Sequence, residues 1–229
     1  PPLFFFFFLP TQLPKPSREE VLKQIGLSSS TKLLSDPYPL GGFKGIEVGV
    51  SVETISFDEV RGLGGQSANV SSEVIVPKLS FGKGLYNNLD LFMSFVPYSE
   101  STRVSQFGGI ARWGFYEGEF VPFTLSALIH GTSTNFNNQL VSRSLGLDLV
   151  AGLNANSLGV YLGGGPIQAT GSFLGGTSGV TDTGLTENDR IEGFHFVAGL
   201  ASHLGQLFLA IELDQYYQTV VSGKMGLRF

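Results

Sequence analysis

Three histidines are the residues of this chain best suited to chemistry, because the same segments also offer carboxylates and hydroxyls. A histidine beside an aspartate and a serine is the combination that nucleophilic hydrolysis uses. The side chains available for it are His130, His195, His203, Asp148, Asp214 and Ser126. No short motif ties a nucleophile to a base. We therefore expect the histidines to hydrogen-bond within a polar network, and the protein not to be an enzyme.

Metal and cofactor chemistry has weak support in the sequence. The chain has no cysteine, which excludes thiolate metal sites, a thiol nucleophile and disulfides. Asp182 and the stretch "TENDR", with Glu187 and Asp189, supply acidic residues without the spacing of a calcium loop. We expect a solvated acidic loop there, and neither a metal nor a cofactor.

Composition narrows the class of protein. Charged residues make up 14% of the chain, against about 25% in an average soluble domain. The net charge is −5 and no basic block stands out, so we expect no nucleic-acid partner.

Residues 1–40 differ from the rest and form an N-terminal extension rich in proline. Its apolar run at residues 3–9 is too short to span a membrane as a helix. The run resembles the core of a signal peptide, although no basic region precedes it. Three interpretations stay open: an uncleaved remnant, a mature extension, or a tail that packs on a partner or in lipid.

A short helix is predicted inside the extension, at "SREEVLKQIG". Ser17 and Glu20 fit a capping box, and Gly26 fits the C-terminal stop. Such a helix could pack on the domain that follows, plug it, or dock to a partner in the periplasm.

From residue 41 onward the apolar pattern has a period of two, which predicts strands and excludes βαβ units. Ten segments share this pattern: 45–55, 76–81, 89–95, 107–116, 121–130, 142–149, 158–165, 194–203, 207–217 and 220–229. Longer and shorter connections are predicted to alternate between them, as in transmembrane barrels, with long ones at 131–140 and 171–193. The sequence therefore predicts an all-β protein, an antiparallel up-and-down transmembrane β-barrel over residues 41–229, with ten strands or alternatively eight.

The last residues, "KMGLRF", resemble the C-terminal assembly signal of bacterial outer-membrane β-barrel proteins. That signal has a terminal aromatic residue with apolar residues at alternating positions before it, which Met225, Leu227 and Phe229 match. "GLYNNLDLFMSF" is loosely similar to small outer-membrane transporter barrels. The resemblance implies a location in the bacterial outer membrane, contact with lipid and lipopolysaccharide, and insertion by the barrel-assembly machinery.

The face of each strand opposite the apolar one is predicted to line a narrow lumen. Charges that leave water there must pair, so we expect a closed polar network. Its predicted members are Glu47, Glu53, Lys78, Asp90, Arg112, His130, Asp148, His195, Glu212, Asp214, Lys224 and Arg228.

Function is predicted only as a class. The first hypothesis is a structural or partner-binding role in the cell envelope, with the N-terminal extension docked to a partner or to the barrel. The alternatives are a narrow channel or carrier for small or apolar solutes, plugged by that extension, and an outer-membrane hydrolase.

Overall fold

The protein is a closed barrel of ten antiparallel strands, seen in a computed structural model that describes residues 9–56, 60–63, 73–98, 103–118, 120–155 and 157–229. Each strand pairs with its neighbours in the chain, and the first strand closes the barrel on the last. The prediction of ten strands is confirmed, and the alternative of eight is wrong. The phenylalanine run at residues 4–8 lies outside the described residues.

The strands carry the labels β1 to β10 in chain order. Their bounds are β1 Ile46–Ser56, β2 Glu73–Gly84, β3 Leu89–Val96, β4 Val104–Glu117, β5 Phe123–Phe136, β6 Leu140–Ala155, β7 Leu158–Phe173, β8 Glu187–Leu204, β9 Leu207–Gln215 and β10 Thr219–Arg228. One α-helix, α1 (Lys15–Val21), precedes them and continues into a π-helical turn at Leu22–Gly26. Short 3-10 turns lie at Gly42–Lys44 and Val60–Gly62.

The short helix is confirmed, but its predicted capping box is wrong. Pro14 is the N-cap residue, and none of the described side chains caps the helix. The helix begins at Lys15, and Pro16 lies in its first turn, where the fixed backbone angle of proline suits a helix, so Ser17 lies within the helix. Within the described residues, no helix is both long and apolar enough to cross a membrane.

The two ends of the barrel differ in their connections. The long-loop end carries the links 57–72, 97–103 and 174–186, together with the short links 137–139 and 216–218. The short-turn end carries the links 85–88, 118–122, 156–157 and 205–206. The start of β1 and the end of β10 pair at this same end.

The predicted alternation of loop lengths is thus only partly right. The expected long connection at 131–140 is wrong, because β5 and β6 continue pairing to Phe136 and Leu140. The connection expected at 171–193 is shorter for the same reason, since β7 and β8 pair as far as Phe173 and Glu187.

The outer wall of the barrel is apolar. Leu145, Leu147 and Leu149 of β6 are about half exposed, while the residues between them are buried. The described charged side chains on the outer faces of β6 and β8 lie toward the long-loop end, as with Arg143 and Arg190. A closed up-and-down barrel that is apolar outside is the architecture of outer-membrane β-barrel proteins.

One predicted inward residue points outward instead. Tyr116 is 51% exposed, although the simple alternation of β4 would place it beside Arg112 in the lumen. A bulge between Gly114 and Tyr116 adds one residue to this strand and reverses the facing of the side chains beyond it.

A charge placed on the outer wall tests this orientation. Leu147→Lys, at the middle of β6, is expected to destabilise the barrel in lipid by about 2–4 kcal/mol. The matched variant Leu204→Lys, at the edge of the short-turn end, is expected to cost about 0–1 kcal/mol. Denaturant unfolding of barrels in lipid vesicles measures both, and equal costs would contradict a lipid-facing belt.

Candidate functional site in the barrel lumen

The N-terminal segment, residues 9–40, runs through the barrel from one end to the other. At the long-loop end, the Leu13 N–H donates to the carbonyl oxygen of Val180 (2.7 Å). Near the short-turn end, Asp36 Oδ2 lies 2.6 Å from His203 Nε2. The segment therefore fills the lumen as a plug, which is one of the roles that its sequence left open.

An apolar layer fills the lumen nearest the long-loop end. Leu13, Val21, Leu22 and Ile25 of the plug are fully buried there. They belong to one cluster with inward-facing barrel residues that include Phe136, Leu140, Phe173 and Val220. Each such side chain contributes about 1.5–3 kcal/mol on burial, so this layer holds the helix in place.

Arg18 anchors the helix to the barrel wall. Its Nε donates to Asp189 Oδ2 (2.6 Å) and its Nη1 donates to Asp182 Oδ1 (3.2 Å). Burial opposes the charge, but the hydrogen bond and charge of Asp189 raise the pKa of the guanidinium above its ordinary value. The expectation of a solvated acidic loop is therefore wrong for Asp189, which is a buried residue of β8.

The middle of the plug is polar and is bound to the wall by hydroxyl groups and one lysine. Ser30 Oγ donates to Ser144 Oγ (2.8 Å), and Thr31 Oγ1 lies 2.7 Å from Thr132 Oγ1. Lys32 donates to Glu53 of β1 (3.2 Å). These contacts replace the water that a polar barrel wall would otherwise need.

Glu53 contacts two lysines. Lys32 reaches it from the plug, and Lys78 Nζ lies 2.7 Å from its second oxygen, Oε1. All three side chains are almost completely buried. Removing one partner from such a group leaves an uncompensated buried charge.

A cluster of two histidines and two aspartates lies beside this group. His130 Nε2 lies 3.1 Å from Asp148 Oδ2, and His195 Nδ1 lies 3.2 Å from the same oxygen. The other ring nitrogen of His195 lies 2.8 Å from Asp214 Oδ1. Tyr216 stacks on His195 with ring centroids 4.4 Å apart and planes 5° from parallel.

Nearer the short-turn end, Arg112 ties the plug to the wall. It pairs with Asp90 (Nη2 to Oδ2, 2.8 Å) and donates to the carbonyl oxygens of Asp36 (2.6 Å) and Tyr38 (2.8 Å). Arg228 donates to the carbonyl oxygen of Pro39 (2.7 Å). Backbone carbonyls of the plug are thus satisfied by guanidinium groups of the barrel.

The remaining predicted residues also contact the plug or each other. Lys224 Nζ lies 2.7 Å from Glu47 Oε1, and Ser35 Oγ of the plug donates to Glu47 Oε2 (2.7 Å). Glu212 Oε2 accepts hydrogen bonds from the Tyr161 hydroxyl (2.5 Å) and the Leu34 N–H (2.9 Å).

All twelve residues predicted for the lumen network face the interior, where they form several groups around the plug rather than one site. The sequence did not predict the charged residues that the plug adds to this network, which are Arg18, Lys32 and Asp36. The polar run "SSSTK" at residues 28–32 could have indicated them, because an exposed linker does not need that many hydroxyls.

The hydrolase constellation is only partly assembled. His130, His195, Asp148 and Asp214 meet, but they lie under the plug and are at least nine-tenths buried. Ser126 Oγ has no hydrogen-bond partner in the part of the chain that the structure describes, and His203 pairs with the plug instead. That the protein is not an enzyme stays a prediction.

The predicted assembly signal lies on the outer wall. Met225, Leu227 and Phe229 are each about half exposed. The Phe229 N–H donates to the Ile46 carbonyl (2.8 Å), and the Ile46 N–H donates back to Phe229 (3.0 Å). The last residue therefore closes the barrel, while its role in assembly stays a prediction.

No protein-family model matches the chain, and no curated protein matches it. Solved structures of three bacterial barrels are similar in fold. The N-terminal β-barrel domain of Pseudomonas aeruginosa OprF has 12% identity and a TM-score of 0.37, covering 82% of this chain and 99% of that chain.

The other two structures have lower TM-scores. The attachment invasion locus protein Ail of Yersinia pestis has 11% identity and a TM-score of 0.33, covering 81% of this chain and 97% of that one. Neisserial surface protein A has 12% identity and a TM-score of 0.30, covering 80% and 93%. These scores are low, and the fold assignment rests on the strand pairing itself.

The pair between Arg112 and Asp90 provides a test of the packed lumen. Arg112→Leu leaves the Asp90 carboxylate buried without its partner and is expected to cost about 3–5 kcal/mol of stability. The double variant Arg112→Leu with Asp90→Leu is expected to cost clearly less, because no buried charge remains. Denaturant midpoints in lipid vesicles compare them. A double variant as unstable as the single one would contradict this account of Asp90.

Proposed function

We propose that the protein is a bacterial outer-membrane barrel with a structural, partner-binding role in the cell envelope. Its lumen is sealed by its own N-terminal segment, and its partner-facing surface is the long-loop end. The observation that carries this proposal is the path of the plug, which spans the lumen and is held by the barrel wall along its whole length.

The location follows from the outer wall and from the connections. Ten strands with an apolar exterior suit a bilayer, and barrels of outer membranes place short turns in the periplasm and longer loops outside the cell. By that rule, the loop 174–186 and the start of the plug face the outside. Lipid and lipopolysaccharide would surround the wall, and the barrel-assembly machinery would insert it.

The long-loop end offers a surface that a partner could bind. Lys15 and Gln12 at the start of the plug are exposed there, and so is Leu185 in the adjoining loop. The Leu13 bridge to Thr181 joins these two parts into one surface. The N-terminal segment would thus dock to the barrel within the lumen and to a partner at this end.

A conducting channel is the competing function. Among the described residues, the lumen holds the apolar layer, the lysine and histidine groups and the arginine contacts in succession. A solute would have to displace a segment held by ion pairs on both sides of its middle. We therefore expect the full chain to be silent in planar bilayers, and steady unitary conductance would favour the channel.

Cysteine labelling tests the orientation, since the natural chain has no cysteine. Lys15→Cys places a thiol on an exposed residue at the long-loop end, and Gln206→Cys places one in a short turn. A membrane-impermeant maleimide added to intact cells is expected to label the first variant at least tenfold more than the second. Permeabilising the outer membrane is expected to bring Gln206→Cys to the same level.

The reverse pattern would overturn the proposed orientation. Equal labelling of both variants in intact cells would contradict insertion in the outer membrane. A gel run with and without boiling shows that each variant is a folded barrel before labelling is compared.

A further inference from the structure

We propose that the middle of the lumen holds a zinc ion, bound by His130, Asp148 and His195. These residues come from β5, β6 and β8, and their donor atoms all lie within 4.8 Å of one another. Two imidazoles and one carboxylate are a ligand set that zinc uses, with a fourth position left for water.

The spacing of the donor atoms suits a single ion. Zinc bonds of about 2.0–2.1 Å in a tetrahedral site place neighbouring ligand atoms about 3.3 Å apart. Asp148 Oδ2 lies 3.1 Å from His130 Nε2 and 3.2 Å from His195 Nδ1. Both edges that share the carboxylate oxygen are close to this length, and the edge between the two histidines is no longer than 4.8 Å.

The surroundings of His130 also favour a bound ion. Its side chain is 2% exposed, yet among the described residues neither of its ring nitrogens has a well-formed hydrogen bond. Nε2 lies 3.1 Å from Asp148 Oδ2, and this contact is at ion-pair distance rather than a well-formed hydrogen bond. Ligand atoms that face a common ion, rather than each other, have this arrangement. A buried ring nitrogen that lacks a hydrogen bond is otherwise costly.

Glycine makes room for this histidine. Gly146 lies opposite His130 in the pairing of β5 with β6. A Cβ at position 146 would come within 2.3 Å of His130 Nε2. A larger residue at position 146 would therefore displace the imidazole from its place beside Asp148.

His195 has the outer support expected of a metal ligand. Its Nε2 lies 2.8 Å from Asp214 Oδ1, and Tyr216 stacks on the ring. A carboxylate that accepts the proton of one ring nitrogen leaves the lone pair of the other free for the ion. Here that other nitrogen is Nδ1, which faces Asp148.

Charge balance favours a divalent cation at this point. The centre of the lumen brings together four carboxylates, Glu53, Asp148, Glu212 and Asp214, and two lysines, Lys32 and Lys78. The carboxylates outnumber the lysines here, so a divalent cation would be attracted to this point.

The fourth ligand has space beside the three residues. A small enclosed cavity is lined by His130, Asp148 and His195, and also by Thr31 and Lys32 of the plug. A water molecule there would complete the coordination. The plug covers it, so the ion would act as a structural tie between three strands rather than as a catalyst.

Metal analysis of the whole barrel tests the proposal. Cells expressing the full chain are grown with added zinc, the barrel is extracted in mild detergent, and the zinc is measured by mass spectrometry. About one zinc per chain is expected. His130→Gln and His195→Gln are each expected to lose at least nine-tenths of it. Asp214→Asn is expected to bind zinc about 10–100-fold more weakly.

His203→Gln is the matched control, since this histidine pairs with Asp36 and lies outside the cluster. It is expected to keep its zinc. A gel with and without boiling establishes that each variant is folded. Cobalt in place of zinc provides a readout on the natural chain that needs no variant. The expected result is the visible absorption of a tetrahedral site with nitrogen and oxygen ligands.

Two results would overturn the proposal. One is a folded natural barrel that carries no zinc above the level of a detergent blank and shows no cobalt absorption. The other is zinc that persists in both His130→Gln and His195→Gln, which would place the ion elsewhere. In either case the proposed role in the envelope would be unaffected.

Discussion

The structure depends on the pairing of charges inside a barrel whose lumen is too narrow for bulk water. Three charged residues of the plug pair with residues of the wall: Lys32 with Glu53, Asp36 with Arg228, and Arg18 with Asp189. A charge buried without a partner would cost several kcal/mol. Neither part of the chain satisfies all of its own polar groups, so the plug and the wall stabilise each other.

This mutual dependence explains why the lumen is layered. Leucine and phenylalanine side chains close the long-loop end, ionic and hydroxyl groups occupy the middle, and guanidinium groups hold the backbone of the plug near the short-turn end. Each layer excludes water from the next, which strengthens the ion pairs within it. A sealed lumen is the direct consequence, and it favours anchoring over transport.

The sequence predicts the wall of this barrel well. A period of two identifies all ten strands and both of their faces, because an error of one residue would turn charged side chains toward lipid. It fails locally at Tyr116, where a bulge resets the alternation, and at the strand ends near Phe136 and Phe173, where pairing continues into segments rich in glycine and threonine.

The interior could be predicted only in part. The charged residues of the strands are apparent from their facing, but their partners depend on the register of distant strands. His130 and His195 are far apart in the chain and meet only because β5 and β8 both lie next to the β6–β7 pair. The path of the plug is harder still to predict from the sequence, since its prolines and serines are equally compatible with a linker.

One disulfide would test most directly whether the N-terminal segment fills the lumen. Ser30 and Ser144 are 2.8 Å apart at their hydroxyl oxygens, and the chain has no other cysteine to compete. Ser30→Cys with Ser144→Cys is expected to form the cross-link in barrels taken from membranes, as linked peptides seen by mass spectrometry. The control Ser30→Cys with Leu145→Cys, whose second residue faces outward, is expected not to form it. Absence of the link in the first pair, in protein shown to be a folded barrel, would contradict the plugged lumen.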